Sequence, residues 1–273
     1  SVCRAVNIPV IVDADTGYGN PLNVIRTVEE LIAAGAAGCF LEDQLWPKKC
    51  GHMRGKKVID REEYLHKIKA AVNARAGEDF FIVARTDALA AIGLDEAIER
   101  MEAARAAGAD ATFVEAPGSI EQMEMIGRQA PKPTVANMIE GGKTPVLPRE
   151  QLAAMGFHLI LYPLTGLFTA AGAMLALYQK LFDKGTTLGE EDLLMRFEQF
   201  NQLIGVEEKY GAAVSGEHLA SHHHRLRFLA GFRQFDFYQQ AVDADSFFHA
   251  VRLTISSAIC RKRRAFSPKD SRA

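Results

Sequence analysis

A thiol, an imidazole, two glycines and five cationic side chains fall within the twelve residues from Trp46 to Lys57, Trp-Pro-Lys-Lys-Cys-Gly-His-Met-Arg-Gly-Lys-Lys. Glycines let a backbone approach a ligand, cations and free N–H groups attract carboxylates, and a Cys or His can move a proton. The stretch is expected to be a catalytic loop that cradles a small polyanion. Cys50 and His52 are its proton-handling groups, and Lys48, Lys49 and Gly51 line the anion.

Acids stand where such a loop would need them. Asp13 and Asp15 lie two apart on a stretch expected to be extended, so their side chains should point the same way, and Glu42 ends the next strand. Three carboxylates on adjacent strand ends suit a hard divalent cation, Mg2+ or in its place Mn2+, which keeps waters and bridges to substrate oxygens. The competing reading of any one of them is an acid that caps the following helix. Arg85 ends another strand, where a buried guanidinium needs an anion: a substrate carboxylate held bidentately, or an ion pair with Glu115 or Asp87. Glu115 and Asn137 would hold Arg85, the loop or a substrate hydroxyl. Cys3, Cys39 and Cys260 read as buried spacers, His158 as a packing residue and His222 to His224 as solvated.

The elements that must position these groups follow a regular rhythm. The run 9–15 is a buried strand breaking into acids and glycine, and a helix follows from Pro21 to Ala34, closed by Gly35. Further strands are expected at 37–43, 80–87, 111–116, 134–139 and 157–162. Helices are expected at 61–76, 94–107, 119–129, 149–155 and 165–184. Six βα units imply a parallel sheet with right-handed crossovers, and polar residues at each strand end favour an α/β barrel of (β/α)8 type, with its site on the C-terminal strand ends. Gly17-Tyr18-Gly19 does not extend into a dinucleotide-binding glycine turn. An amphipathic helix is expected over 190–210, making 1–210 the catalytic domain with C-terminal helices. The remainder, 211–273, carries an aromatic run, Phe228 to Tyr238, and a basic end, Arg261 to Arg264, and reads as a helical or irregular tail of unknown role.

With 32 basic and 34 acidic residues, the chain has no field that selects nucleic acid or an anionic membrane, so a small-molecule partner is expected. Four widely spaced cysteines do not form a secreted disulfide framework, and neither a membrane-length apolar run nor a leader is evident. A soluble, cytoplasmic protein is expected. Ser1 to Asn7 reads like the end of a helix, so the chain is also expected to be a fragment.

Taken together, Val-Asp-Ala-Asp-Thr-Gly-Tyr-Gly (12–19), Glu-Asp-Gln (42–44), Lys-Lys-Cys-Gly-His (48–52), Ala-Arg-Thr-Asp (84–87), Val-Glu-Ala-Pro (114–117) and Asn-Met-Ile-Glu-Gly-Gly (137–142) resemble the isocitrate lyase and phosphoenolpyruvate mutase superfamily. The compact Cys-Gly-His-Met loop is most similar to its 2-alkylmalate lyase group. The resemblance implies a (β/α)8 barrel of which the first two βα units are missing here, and a homo-oligomer, tetramer or dimer. It implies Mg2+ closest to Asp13, with Asp15 and Glu42 acting through water, and Cys50 as a general acid towards a carbanion. His52 would bind the substrate carboxylate and orient the loop. The implied reaction is retro-aldol cleavage of a 2-hydroxy di- or tricarboxylate, a 2-alkylmalate or methylisocitrate. Hydrolysis of oxaloacetate and a truncated, inactive family member are the alternatives. Phosphonate-forming mutases are disfavoured because that branch lacks the loop Cys.

Overall fold

The computed structural model describes residues 2–50, 52, 55–207, 210 and 211. They fall into two compact units, one of residues 2–165 with 194–211, the other of 166–193. Gly51 in the loop, and in the tail His222 to His224, the aromatic run and the basic end, lie outside the described residues.

In the first unit, a short helix α1 (Val2–Ala5) precedes alternating strands and helices: β1 (Ile11–Asp13), α2 (Pro21–Ala33), β2 (Gly38–Glu42), α3 (Arg61–Arg75), β3 (Phe81–Thr86), α4 (Ala88–Ala91), α5 (Leu94–Ala106), β4 (Ala111–Val114), α6 (Ile120–Gln129), β5 (Thr134–Asn137), α7 (Arg149–Met155) and β6 (Leu159–Leu161). The strands form one parallel sheet in the order β1-β2-β3-β4-β5-β6, the curled sheet of a barrel-type α/β fold. Six βα units were expected and six strands are found among the described residues, each shorter than its apolar run.

Alternation within the strands divides the core. Ile11, Phe40, Val83, Phe113, Val135 and Leu161, one or more from each strand, form a cluster on the inner face. Cys39, Leu41, Ile82, Ala84, Val114 and Ala136 face outward into the larger cluster packed by Val24, Val28, Tyr64, Ile68, Met101, Met123, Ile126 and Leu152 of the helices. Asn20 starts α2 by accepting from the N–H groups of Leu22 (2.9 Å) and Asn23 (3.4 Å), and Asn23 reciprocates towards the Asn20 N–H.

The second unit consists mostly of α8 (Thr165–Lys184) and a 3-10 turn, Glu191–Leu193. The single helix expected over 190–210 is instead broken into that turn, a separate α9 (Phe197–Leu203) and further helical residues at 206–207 and 210–211. Gln199 accepts from the Arg196 N–H (3.3 Å), which starts a new helix at Phe197, and Gly205, at φ +66, ends it.

Candidate active site

The period of two that places apolar residues on the inner face also aims the candidate site. Two residues beyond Ile11, Phe40, Val83, Phe113 and Val135 come Asp13, Glu42, Arg85, Glu115 and Asn137, all at the C-terminal ends of their strands. Strand register puts Glu42 beside Arg85 and Arg85 beside Phe113, and the guanidinium carbon lies 5.3 Å from the Phe113 ring centroid.

Arg85 is the hub of this face. Its Nε is 3.1 Å from Asp87 Oδ2 and 3.3 Å from Glu42 Oε2, and an Nη is 3.9 Å from Glu115 Oε2. Burial alone would lower its pKa, but Glu115, Asp87 and Glu42 hold it well above the ordinary arginine value. Both ion-pair partners expected from the sequence, Glu115 and Asp87, are therefore in place, and Glu42 joins them. Asn137 donates to both oxygens of Glu115 at 3.3 Å.

On the metal side, the backbone at Asp15 differs from expectation. β1 ends at Asp13, and Asp15 takes the left-handed conformation, φ +49, so the two side chains are not neighbours on an extended segment. The turn is held instead by the Asp15 N–H, which donates to Asp13 Oδ1 (2.9 Å), and by the Glu42 N–H, which donates to the Asp15 carbonyl (2.8 Å). Lys48 places its ammonium on Asp15 and 3.8 Å from Glu42 Oε1. Among the described residues, no three Asp, Glu, His or Cys side chains converge closely enough to ligate one ion directly.

Glu42 nevertheless fits a cation. It is 1% exposed, neither oxygen has a hydrogen-bond partner, and burial pushes its carboxyl up to about 7 despite Arg85 and Lys48. A buried carboxylate with unused lone pairs is costly unless something cationic or hydrated completes it. Hard oxygen donors that do not all touch the ion suit a cation that keeps its water, as Mg2+ does.

The loop after β2 is fastened at its base. Gln44 bridges Val58 in antiparallel fashion, Leu45 donates to the Lys57 carbonyl (2.8 Å), and Ile59 donates to the Asp43 carbonyl (2.9 Å). Lys56 is buried with its ammonium on Asp87 Oδ1. Lys49 is exposed and reaches the Gly55 carbonyl (3.2 Å), so the two lysines separate: Lys48 faces the acids and Lys49 crosses the loop. His52 Nδ1 accepts the Lys143 N–H (2.8 Å), which leaves its proton on Nε2, 3.4 Å from Glu115 Oε1 but not aligned for a hydrogen bond. Burial lowers the His52 pKa against the pull of Glu115, which favours the neutral ring. This approach needs Gly142, where a Cβ would meet His52 Nδ1 at 2.6 Å. Cys50 is exposed, whereas Cys39 is buried and pushed up to about 12 by burial and Asp13.

Sequence reasoning did not single out Gln44, Lys56, Asp43 or Gly142. Gln44 and Asp43 stand in the strand-end motif, where Gln44 shares the parity of Glu42 and Asp43 has the opposite one. Nothing in the sequence separates Lys56 from the other loop cations.

The family described as phosphoenolpyruvate phosphomutase matches residues 1–182. The chain is 51% identical to the petal death protein of Dianthus caryophyllus, covering 76% of this chain and 65% of the relative. It is also 51% identical to a chloroplastic carboxyvinyl-carboxyphosphonate phosphorylmutase of Arabidopsis thaliana, covering 76% and 62%, so high identity extends to a mutase name. With the 2,3-dimethylmalate lyase of Eubacterium barkeri it shares 47% identity over 76% of this chain and 72% of that one. The chain thus spans slightly less than two thirds of the length of the first two relatives. Among solved structures, oxaloacetate acetylhydrolase with 3,3-difluorooxalacetate superimposes with a TM-score of 0.69 at 40% identity, covering 75% of this chain and 71% of that one. Phosphonopyruvate hydrolase in complex with oxalate and Mg++ gives 0.68 at 29% identity, covering 78% and 75%.

Proposed function

The chain belongs to the phosphoenolpyruvate mutase and isocitrate lyase superfamily, and from that premise we propose that it is a Mg2+-dependent carbon–carbon lyase. Its substrate is a 2-hydroxydicarboxylate of the 2-alkylmalate or methylisocitrate type, and its catalytic unit is 1–210. The observation that carries this reading is Glu42, buried with no hydrogen bond to either oxygen and only the ion pairs to Arg85 (3.3 Å) and Lys48 (3.8 Å) beside it. Acids with room for a hydrated cation, beside cations that a substrate carboxylate can draw towards itself, suit a small hydroxy diacid.

Mg2+, held by Asp13, Asp15 and Glu42 largely through water, would supply Lewis-acid stabilisation of the substrate's hydroxyl and carboxylate oxygens. Arg85 binds the departing carboxylate and stabilises the enolate that forms as the substrate hydroxyl gives its proton to a carboxylate of the site, its oxygen closes the keto C=O and the carbon–carbon electron pair passes to the departing half. Glu115 and Asn137 keep Arg85 and the substrate hydroxyl oriented. His52, neutral, offers its Nε2–H to a substrate carboxylate, with Gly51, Lys48 and Lys49 as further donors on the loop. Cys50 donates its proton to the enolate carbon, giving a saturated carboxylate and leaving an α-keto acid. A homo-oligomer in the cytoplasm is part of the same reading; among the described residues no helix is long and apolar enough to cross a membrane.

A second reading, cleavage of oxaloacetate to oxalate and acetate, is favoured by the likeness to oxaloacetate acetylhydrolase. The test is turnover of purified protein on a panel of 2-alkylmalates, 2-methylisocitrate and oxaloacetate, with Mg2+ and with a chelator. Cation-dependent release of an α-keto acid from a 2-hydroxydicarboxylate supports the lyase; oxalate released from oxaloacetate alone supports the hydrolase; no turnover of any substrate rejects both.

A further inference from the structure

Gln44 is 1% exposed, two residues beyond Glu42, and its side-chain amide is spent entirely on the backbone of one loop residue. Its Nε2 donates to the Lys49 carbonyl at 2.9 Å, and its Oε1 accepts from the Lys49 N–H at 3.0 Å. The two groups belong to successive peptide units: the N–H to Lys48–Lys49, the carbonyl to Lys49–Cys50. Each unit is planar and carries the α-carbons on both sides, so one rigid amide fixes the planes that contain the Cα atoms of Lys48 and of Cys50. The arm's other described ties are the Leu45 N–H on the Lys57 carbonyl and the ammonium groups of Lys48, on Asp15, and Lys49, on the Gly55 carbonyl; the side chains of Leu45 (49%) and Trp46 (64%) are exposed. Gln44 itself is held by its buried position at the tip of β2 and by its bridge to Val58.

We propose that Gln44 is a positioning residue: its amide clamps the Lys49 peptides, and so sets where Cys50 and Lys48 stand relative to the carboxylates at the tip of β2. The inference rests on the role assigned above to Cys50. It assigns Gln44 no contact with substrate, so its loss lowers turnover more than it raises KM.

Donor and acceptor are both required, which makes the clamp testable by replacing one of them. In Gln44→Glu the carboxylate still accepts from the Lys49 N–H but repels the Lys49 carbonyl; once protonated it supplies an O–H and restores both bonds. A buried carboxyl facing a carbonyl titrates above its ordinary value of about 4.3, so recovery should occur on lowering the pH between about 8 and 5. In Gln44→Met, close in volume but without polar atoms, nothing can titrate.

The measurement is the ratio of variant to parent at each pH, taken both for kcat and for the rate of Cys50 alkylation by iodoacetamide, read on the Cys50 peptide. The expected result for Gln44→Glu is kcat lowered by about tenfold to a hundredfold at high pH, a loss typical of a misplaced group, and rising towards parent as pH falls. Gln44→Met should stay low throughout, and the alkylation ratios should separate the two variants in the same pH-dependent way. Parent-like kcat and alkylation in both variants overturns the proposal, as does a Gln44→Glu ratio that is flat with pH and equal to that of Gln44→Met. Hydrogen exchange in the unmodified protein is free of any folding defect: the Lys49 amide should be protected, and exchange at the unprotected rate overturns the clamp. If no substrate is turned over, the lyase reading fails by itself, while alkylation and exchange still decide the role of Gln44.

Discussion

The two faces of the sheet at its C-terminal edge treat neighbouring carboxylates in opposite ways. On the outer face, Asp43 is wholly buried and saturated: Oδ1 accepts the Asp87 N–H (2.8 Å), and Oδ2 accepts the Thr86 hydroxyl (2.5 Å) and an Arg100 Nη (3.0 Å). Arg100 also donates to the Ile59 carbonyl (2.9 Å) and pairs with Glu96 (2.7 Å), while Tyr64 donates to the Arg85 carbonyl (2.8 Å). On the inner face, one residue away, Glu42 is as buried and has no hydrogen bond to either oxygen. The comparison separates a carboxylate that holds the scaffold from one, assigned above to the cation, that the fold leaves without a hydrogen bond. It also shows how the scaffold serves the site: through Asp43 the outer face fixes Asp87, which in turn holds Arg85 and Lys56.

The strongest way to break this comparison is to remove Asp43. Asp43→Ala leaves Arg100 buried without one of its carboxylates and frees the Asp87 turn, so unfolding in denaturant should register a loss of about 3–5 kcal/mol. A loss below about 1 kcal/mol would show that the outer-face network does not hold the scaffold.

Glu42 should behave in the opposite sense. Its carboxyl is raised to about 7, so in the cation-free protein the unfolded chain ionises first and stability falls as pH rises from the ordinary glutamate range to about 7. Glu42→Gln should abolish that fall and make the cation-free protein more stable than parent at pH 8, by about 3 kcal/mol. The same substitution should weaken Mn2+ or Mg2+ binding by about tenfold to a hundredfold, the range for a group acting through a ligand's water. Urea denaturation across pH and calorimetric titration of the cation read the two effects separately.

A smaller effect sharpens the contrast from the loop side. Lys48 stands on Asp15 and near Glu42, where a divalent cation would also be drawn. Lys48→Met should tighten cation binding by about tenfold, partial solvent screening having limited the repulsion, while raising KM for the dicarboxylate. Unchanged cation affinity would mean that the ammonium and the ion do not share these acids.

The same period of two decides how much of this architecture is legible in the sequence. The apolar runs and their polar ends announced the strands, and alternation carries Asp13, Glu42, Arg85, Glu115 and Asn137 to one face, so the parallel sheet and its inner cluster could be read directly. Asp15 could not, because a left-handed residue after a strand leaves no mark in the side-chain pattern. The break in the helix expected over 190–210 depends on a local cap at Arg196 and Gln199 that competes with an unbroken amphipathic pattern. Gln44 and Lys56 carry no such mark in the sequence, because a loop's anchors are polar groups paired with backbone or with distant acids. Their partners, the Lys49 peptide and Asp87, are fixed only by the fold.

The central claim is that the exposed Cys50, rather than the buried Cys39, gives the proton that completes cleavage. The most direct measurement is turnover and substrate affinity of Cys50→Ser on whichever 2-hydroxydicarboxylate the parent cleaves. The expected result is kcat lowered by about a hundredfold to ten-thousandfold with affinity nearly unchanged, the span of a lost general acid. Full turnover by Cys50→Ser would contradict the account.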